Sequence, residues 1–437
     1  MKPFAHKITV ALLGVGLSFG SMGPTPAQTL AEVAQTPALP SISADRIKRL
    51  RGALQRYVDE GRLAGVVVQV QLGGRTVVFE AVGWRDREAR APMRQDTIFR
   101  IASQTKAITS VAIMMLMEEG ALLLDDPVGK YLPEWTRTTV AIPTAGGGYE
   151  VVPAARPITI RDLLTHRSGV PYGPGPADKA WREAGIYGWY FGGHGEPVSA
   201  VVARMATLPM AAHPGAAFHY GYSTDILGVV VEKVSGQSLR DFLDARLVRP
   251  LGMKDTSFYL DERKADRLAA VYGDEGPGLR RAPDADAAGA QAYKSQGHYR
   301  HGPRLAQSGG SGLLSTAADY SRFLEMMRRG GELDGRRYLS RKSVQLMLDD
   351  QLGAAPRPAA LLGPGQGFGL GFSVRTGLGA AGMLGSVGEF GWSGAYHSQY
   401  WVDPAEQMTV VYLTQLLPAG DIDDHGKVRA LIYQALN

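Results

Sequence analysis

Thr97-Ile98-Phe99-Arg100-Ile101-Ala102-Ser103-Gln104-Thr105-Lys106 runs directly into the apolar stretch 107–116. Thr97 to Arg100 has the β-branched and aromatic character of a short strand. The stretch after it lacks Gly and Pro and is amphipathic at helical period, so the spacing predicts a helix starting near Ala102 or Ser103. Residues three apart share a helix face. Lys106 is therefore predicted beside the Ser103 hydroxyl, with Ser103 at the positive end of the helix, where negative charge on oxygen is favoured. The same residues also read as an N-cap serine followed by a surface lysine. S-x-x-K alone does not separate the two readings.

Upstream, Gly65-Val-Val-Val-Gln-Val-Gln-Leu72, the Gly73-Gly74 turn and Arg75-Thr-Val-Val-Phe-Glu-Ala-Val82 predict a hairpin. Residues 44–61 read as a helix with Ile47, Leu50, Leu54, Tyr57 and Val58 on one stripe. Near the other end, 367–374, 386–392, 395–402 and 407–414 read as strands and 427–436 as a final helix. Helices are predicted between these ends at 162–165, 198–207, 224–234, 239–247 and 316–329, and 272–310 reads as an irregular excursion. The expected fold class is α+β. A mostly antiparallel sheet is built from both chain ends and flanked by helices, with an inserted, mainly helical lobe. The sheet lobe is expected at about 44–100 and 330–437 and the helical lobe at about 101–329, together one domain over 44–437.

The first 27 residues read as a removable export signal, with Lys2 and Lys7, an apolar stretch at 8–19, and Thr25-Pro26-Ala27 before a cleavage point. That stretch is too short and glycine-rich for a permanent span, which needs about 20 residues. Residues 28–43, rich in Ala and Pro, are expected to form a disordered leader. Removing two lysines leaves 45 basic against 42 acidic side chains, or +3, a balance that implies neither nucleic acid nor a membrane surface as partner. Cysteine is absent, which excludes disulfides, thiol chemistry and thiolate metal sites. A periplasmic or secreted protein, stabilised by burial alone, is expected.

Six phrases carry a resemblance: Phe99-Arg-Ile-Ala-Ser-Gln-Thr-Lys106, Ile160-Arg-Asp-Leu-Leu-Thr-His-Arg-Ser-Gly169, Pro214-Gly-Ala-Ala-Phe-His-Tyr-Gly-Tyr-Ser-Thr-Asp-Ile-Leu-Gly228, Arg249-Pro-Leu-Gly-Met253, Gly309-Gly-Ser-Gly-Leu-Leu-Ser-Thr-Ala-Ala-Asp-Tyr320 and Phe390-Gly-Trp-Ser-Gly394. In this order the chain resembles the serine β-lactamase-like, penicillin-binding-protein superfamily over nearly everything after Ala44. The match is closest to the class C-like branch, and there to the family VIII carboxylesterases. The resemblance implies a β-lactamase/transpeptidase-like fold with its active site in the groove between sheet and helical lobe, and neither cofactor nor metal.

Ser103 is then the expected nucleophile, and its hydroxyl needs a neighbouring base. Lys106 serves only without its proton, against an unperturbed pKa of about 10.4 that desolvation lowers. Tyr220 matches the tyrosine of the family's Y-x-N motif and, as a phenolate held by Lys106, is the other candidate for the Ser103 proton, with Tyr222 a nearby competitor. Which group carries the working proton stays open at this stage. Trp392-Ser393-Gly394 matches the family's K-T-G position, often W-x-G in the esterases, and the amides of Ser103 and Ala395 are expected to form the oxyanion hole. Trp392 replaces the lysine that pairs with the carboxylate of β-lactams, and Tyr222 replaces the asparagine that reads a side-chain amide. Both are therefore expected to line an apolar substrate site together with Ser393 and Gly394. His397, three residues past Gly394, is a further candidate for substrate contact. The one complete G-x-S-x-G, Gly16-Leu-Ser18-Phe-Gly20, falls in the export signal and is no nucleophile elbow.

The expected function is a serine hydrolase acting through an acyl-enzyme on Ser103, on small to medium carboxylic esters, with weak or no β-lactam hydrolysis. The alternatives are a class C-like β-lactamase, a D-alanyl-D-alanine carboxypeptidase, an amide hydrolase, an acyltransferase, or a sensor that binds β-lactams without turnover.

Overall fold

The computed structural model describes residues 41–173, 175–273, 278–284 and 294–437. The stretch expected to be an export signal, the elbow-like 16–20 within it and most of the expected leader lie outside them. Segment 41–43, assigned above to a disordered leader, is instead held: Ile42 bridges Leu436, the Ser43 amide donates to Ala435, and the Ser43 hydroxyl caps the first helix.

An eight-stranded sheet joins the two chain ends. Its strands are β1 (Gly65–Leu72), β2 (Arg75–Asp86), β3 (Ala91–Pro92), β4 (Gln366–Phe368), β5 (Ser373–Arg375), β6 (Phe390–Gly394), β7 (Ser398–Asp403) and β8 (Met408–Leu413). The order is β4-β5-β6-β7-β8-β1-β2-β3, with every neighbouring pair antiparallel. β1 against β8, with Val68 opposite Tyr412 and Val70 opposite Val410, is the seam between the ends.

Both faces of that seam are covered, so every residue of β1 except the half-buried Gln71 is buried, Gln69 included. On one face Val66, Val68 and Val70 pack with Leu50 and Leu54 of α1 (Ala44–Asp59) and with Val428 and Ile432 of the last helix (Asp424–Tyr433). On the other face Val67 joins a core containing α2 (Thr105–Glu118), α3 (Ser223–Ser235) and α4 (Ala317–Arg328). With these assigned, the last helix is α5.

Several expectations need correction. α2 is not amphipathic: every residue from Thr105 to Leu116 is buried, because it runs through the main core against α3. The glycines at 369 and 371 break 367–374 into the hairpin β4–β5 instead of one strand. β7 starts only at Ser398, leaving 395–397 as a turn with His397 at φ +60°. α4 was expected within the helical lobe but lies on β8, β1 and β7. The helical middle also carries an unforeseen hairpin, Thr139–Pro143 with Tyr149–Pro153.

Candidate active site

The turn that carries Ser103 is fixed from several sides. Phe99–Arg100 pairs with Leu314–Ser315, which draws loop 308–311 against the start of α2. Ala102 takes φ +42°, a conformation costly for a residue with a Cβ, and one 3₁₀ turn over Ala102–Gln104 leads into α2. The Tyr320 hydroxyl donates to the Gln104 carbonyl at 2.8 Å, and the Leu313 amide donates to Thr105 Oγ1 at 3.1 Å. The nucleophile candidate is thus held by packing across the core.

Lys106 is buried to 2 % exposure, and its ammonium has a partner for each of its three donors. It donates to Ser103 Oγ at 3.2 Å, to the Tyr172 hydroxyl at 3.0 Å and to the Gly310 carbonyl at 2.9 Å. Its Nζ also lies 4.7 Å from the ring centre of Tyr220 and 5.3 Å from that of Tyr172. The structure therefore brings Ser103 and Lys106 together as the spacing predicts. The phenol hydroxyl bonded to Lys106 belongs to Tyr172, however, a residue the sequence reading passed over. Burial, with Asp225 second and Tyr220 and Tyr222 behind it, pushes the Tyr172 phenol well above its usual value, so it sits there neutral.

Tyr220 stands beside this group and offers Lys106 its ring. Its hydroxyl oxygen accepts from Trp392 Nε1 at 2.9 Å. His166, at φ +53°, packs on it with ring centres 4.6 Å apart. Burial, and then the Lys106 charge, holds His166 well below the usual histidine range, so this ring is a neutral wedge that orients Tyr220. Phe218, Leu352, Leu362 and Phe368 complete the apolar wall around Tyr220 and Trp392.

One expected substrate contact, Tyr222, is not presented to the cleft. Tyr222 is 1 % exposed, its hydroxyl donates to the Gly188 carbonyl, and its ring lies parallel to Trp181 and edge-on to Tyr172. It is a wall behind Tyr172, because α3 begins one residue later and carries its side chain inward. Ser393, next to Trp392 on β6, is exposed.

Gly394 lies against the Ser103 turn, with Ala395 following it in the chain. A Cβ on Gly394 would meet the Ile101 carbonyl oxygen at 2.5 Å and Ser398 Oγ at 2.6 Å, so only glycine lets the end of β6 approach the Ser103 turn this closely. Among the described residues, neither the Ser103 amide nor the Ala395 amide donates to a protein acceptor. Two unpaired amides on adjoining turns beside a serine hydroxyl suit a developing oxyanion.

His397 turns away from the cleft. Its Nε2 lies 2.7 Å from Asp424 Oδ1 on α5, and its ring stacks on His425 at 3.9 Å and 11°. Ligand atoms of His397, Asp424 and His425 lie within 4.8 Å of one another. Parallel rings, however, set their in-plane lone pairs side by side instead of converging on one ion. Asp424 moreover already accepts from His397, the His425 amide and the Tyr412 hydroxyl. This is a hydrogen-bonded latch under turn 395–397.

The latch makes stability depend on pH. Burial, followed by the neighbouring His397, lowers His425 to about 4. A base with a depressed folded pKa is protonated first in the unfolded chain, so its contribution is complete above about 6.5 and is lost as pH falls toward 4. Urea unfolding of the wild type is expected to lose about 3 kcal/mol more between pH 7 and 4 than that of His425→Gln. Parallel pH profiles for the two proteins would contradict this.

Comparison with known proteins places this arrangement. The family model described as Beta-lactamase matches residues 50–434. Protein Rv1367c of Mycobacterium tuberculosis is 35 % identical over 384 residues, covering 85 % of this chain and 91 % of its own. Esterase EstB of Burkholderia gladioli is 33 % identical over 386 residues, with the same two coverages. Among solved structures, EstCE1, described as a hydrolase with promiscuous acyltransferase activity, superposes with a TM-score of 0.75 at 27 % identity, covering 89 % of this chain and 99 % of that one. The α+β architecture and the resemblance read from the six phrases are both borne out, and the chain belongs to the Beta-lactamase family.

Proposed function

We propose that this protein hydrolyses small to medium, uncharged carboxylic esters through an acyl-enzyme on Ser103. The observation that carries the reading is the 3.2 Å contact between Lys106 Nζ and Ser103 Oγ beside two unpaired amides. In the reactive form Lys106 is the neutral amine and accepts the Ser103 proton as Oγ bonds to the ester carbonyl carbon. The oxyanion is stabilised by the amides of Ser103 and Ala395. When the carbon–oxygen bond to the leaving group breaks, that oxygen takes up a proton. Tyr220 is the donor suited to supply it, since its oxygen accepts from Trp392 and its own O–H meets no acceptor among the described residues. The proton taken up by Lys106 returns to Tyr220 through solvent, and water repeats the sequence in reverse.

The substrate class rests on Trp392, which is only partly buried and is backed by the apolar cluster of Phe218, Leu362 and Phe368. A carboxylate placed against it would be desolvated without a cationic partner, which disfavours β-lactams and peptide termini. An alcohol in place of water would turn the same intermediate into an acyl transfer, a second reading favoured by the likeness to EstCE1, a hydrolase with promiscuous acyltransferase activity.

A short-chain nitrophenyl ester and a chromogenic cephalosporin, assayed in parallel, test the proposal. Ester turnover at least a hundredfold above cephalosporin turnover in kcat/KM is expected. The reverse order would support a β-lactamase, and stoichiometric labelling without turnover would support a sensor. Adding a primary alcohol and measuring the new ester against free acid gives the transfer share.

A further inference from the structure

We propose that Asp225 is a positioning residue of this reaction centre: through the Gly310 peptide it aims the carbonyl that holds Lys106, and it supplies the buried negative charge facing that amine. The proposal rests on the reading of Lys106 as base. Asp225 lies in the first turn of α3, is 0 % exposed, and looks in sequence like an ordinary acid at a helix start. Its Oδ1 accepts from Ser308 Oγ at 2.5 Å and from the Gly310 amide at 3.0 Å. The carbonyl of that same Gly310 accepts from Lys106 Nζ at 2.9 Å, and the neighbouring Gly309 carbonyl accepts from Thr109 Oγ1 at 2.8 Å. The Gly309–Gly310 backbone is thus pinned between a carboxylate on α3 and two side chains of α2. A Cβ on Gly310 would meet Asp225 Oδ2 at 2.4 Å, so glycine is what lets the loop close on the acid.

A fully buried carboxylate with an unpaired oxygen needs a reason to be there. Its Oδ2 has no hydrogen-bond partner among the described residues. Burial raises its pKa, and the Lys106 charge is the largest influence opposing that rise. The titratable groups that face Lys106 are Tyr172 and His166 from the 165–172 segment, Tyr220 from the loop before α3, and Asp225 from α3. The first two are held neutral and Tyr220 is a phenol, which leaves Asp225 as the carboxylate of the set. Its field favours the charged amine that forms when Ser103 gives up its proton.

Asp225→Asn is the direct test, since one amide oxygen can still accept both bonds made by Oδ1. The acidic limb of kcat/KM for a nitrophenyl ester is expected to move down by about one pH unit, with kcat above the limb falling about tenfold. A limb that stays in place, or moves up, overturns the proposal, because lost packing alone has no cause to shift it downward. Lys106→Met runs alongside: if it retains full activity the base reading fails, whereas an inactive Lys106→Met with an unmoved Asp225→Asn limb overturns only the role given to Asp225. Should Asp225→Asn not fold, Ser308→Ala decides. It is expected to lower kcat at least threefold at unchanged KM, with Ser308→Thr restoring it, and an unaltered kcat would reject the proposal.

Discussion

Ser103→Ala is expected to remove ester turnover, lowering kcat by about ten-thousandfold or more, with the unfolding midpoint close to that of the wild type. The size follows from losing the covalent path altogether. The two amides and the apolar wall still bind the ester, but no oxygen is left to form the acyl-enzyme. Stability should change by no more than about 1 kcal/mol, since Lys106 loses one of three acceptors and keeps Tyr172 and Gly310. A serine-directed fluorophosphonate should label the wild type once, at Ser103, and leave the variant unlabelled. Activity within tenfold of wild type, or undiminished labelling, would end the assignment of this serine.

Lys106→Met is expected to lower kcat by about a thousandfold or more, the upper part of the range for general acid–base groups. Here stability falls too, by about 1–3 kcal/mol, because the buried Gly310 carbonyl loses its donor. The two tyrosines separate by leaving group. Tyr220→Phe should cost about a hundredfold on an ethyl ester, whose alkoxide needs a proton, and little on a nitrophenyl ester, whose phenolate departs without one. Tyr172→Phe should lower both substrates equally, because that phenol fixes Lys106 and lies on the amine side of the serine. Equal losses from Tyr220→Phe on both esters would remove its role as proton donor.

Much of the fold was legible because its signals are local. The hairpin 65–82 and the stripe of α1 both follow from spacing within about a dozen residues. Boundaries failed where glycines break a run, as at 369 and 371, or where burial on every side erases periodicity, as in α2. The site divides in the same way. Ser103 and Lys106 sit three apart on one turn, so helical geometry alone brings them together. Tyr172 is 66 residues from Lys106, and Asp225 is 85 residues from Gly310. A Pro-Tyr in a loop and an acid in a helix's first turn carry no spacing that points to either.

By itself, then, the amino-acid order determined that strands from the two ends must find each other and that a serine and a lysine share the mouth of the central helix. Both outcomes are set by short-range geometry and by how much apolar surface must be covered. Tertiary packing alone decided which phenol meets the amine, that Tyr222 is wall and not contact, and that the Gly309–Gly310 loop is pinned by a buried carboxylate. Those choices depend on where α3 and loop 308–311 come to rest against α2, a position fixed by the whole core and by no stretch of neighbouring residues.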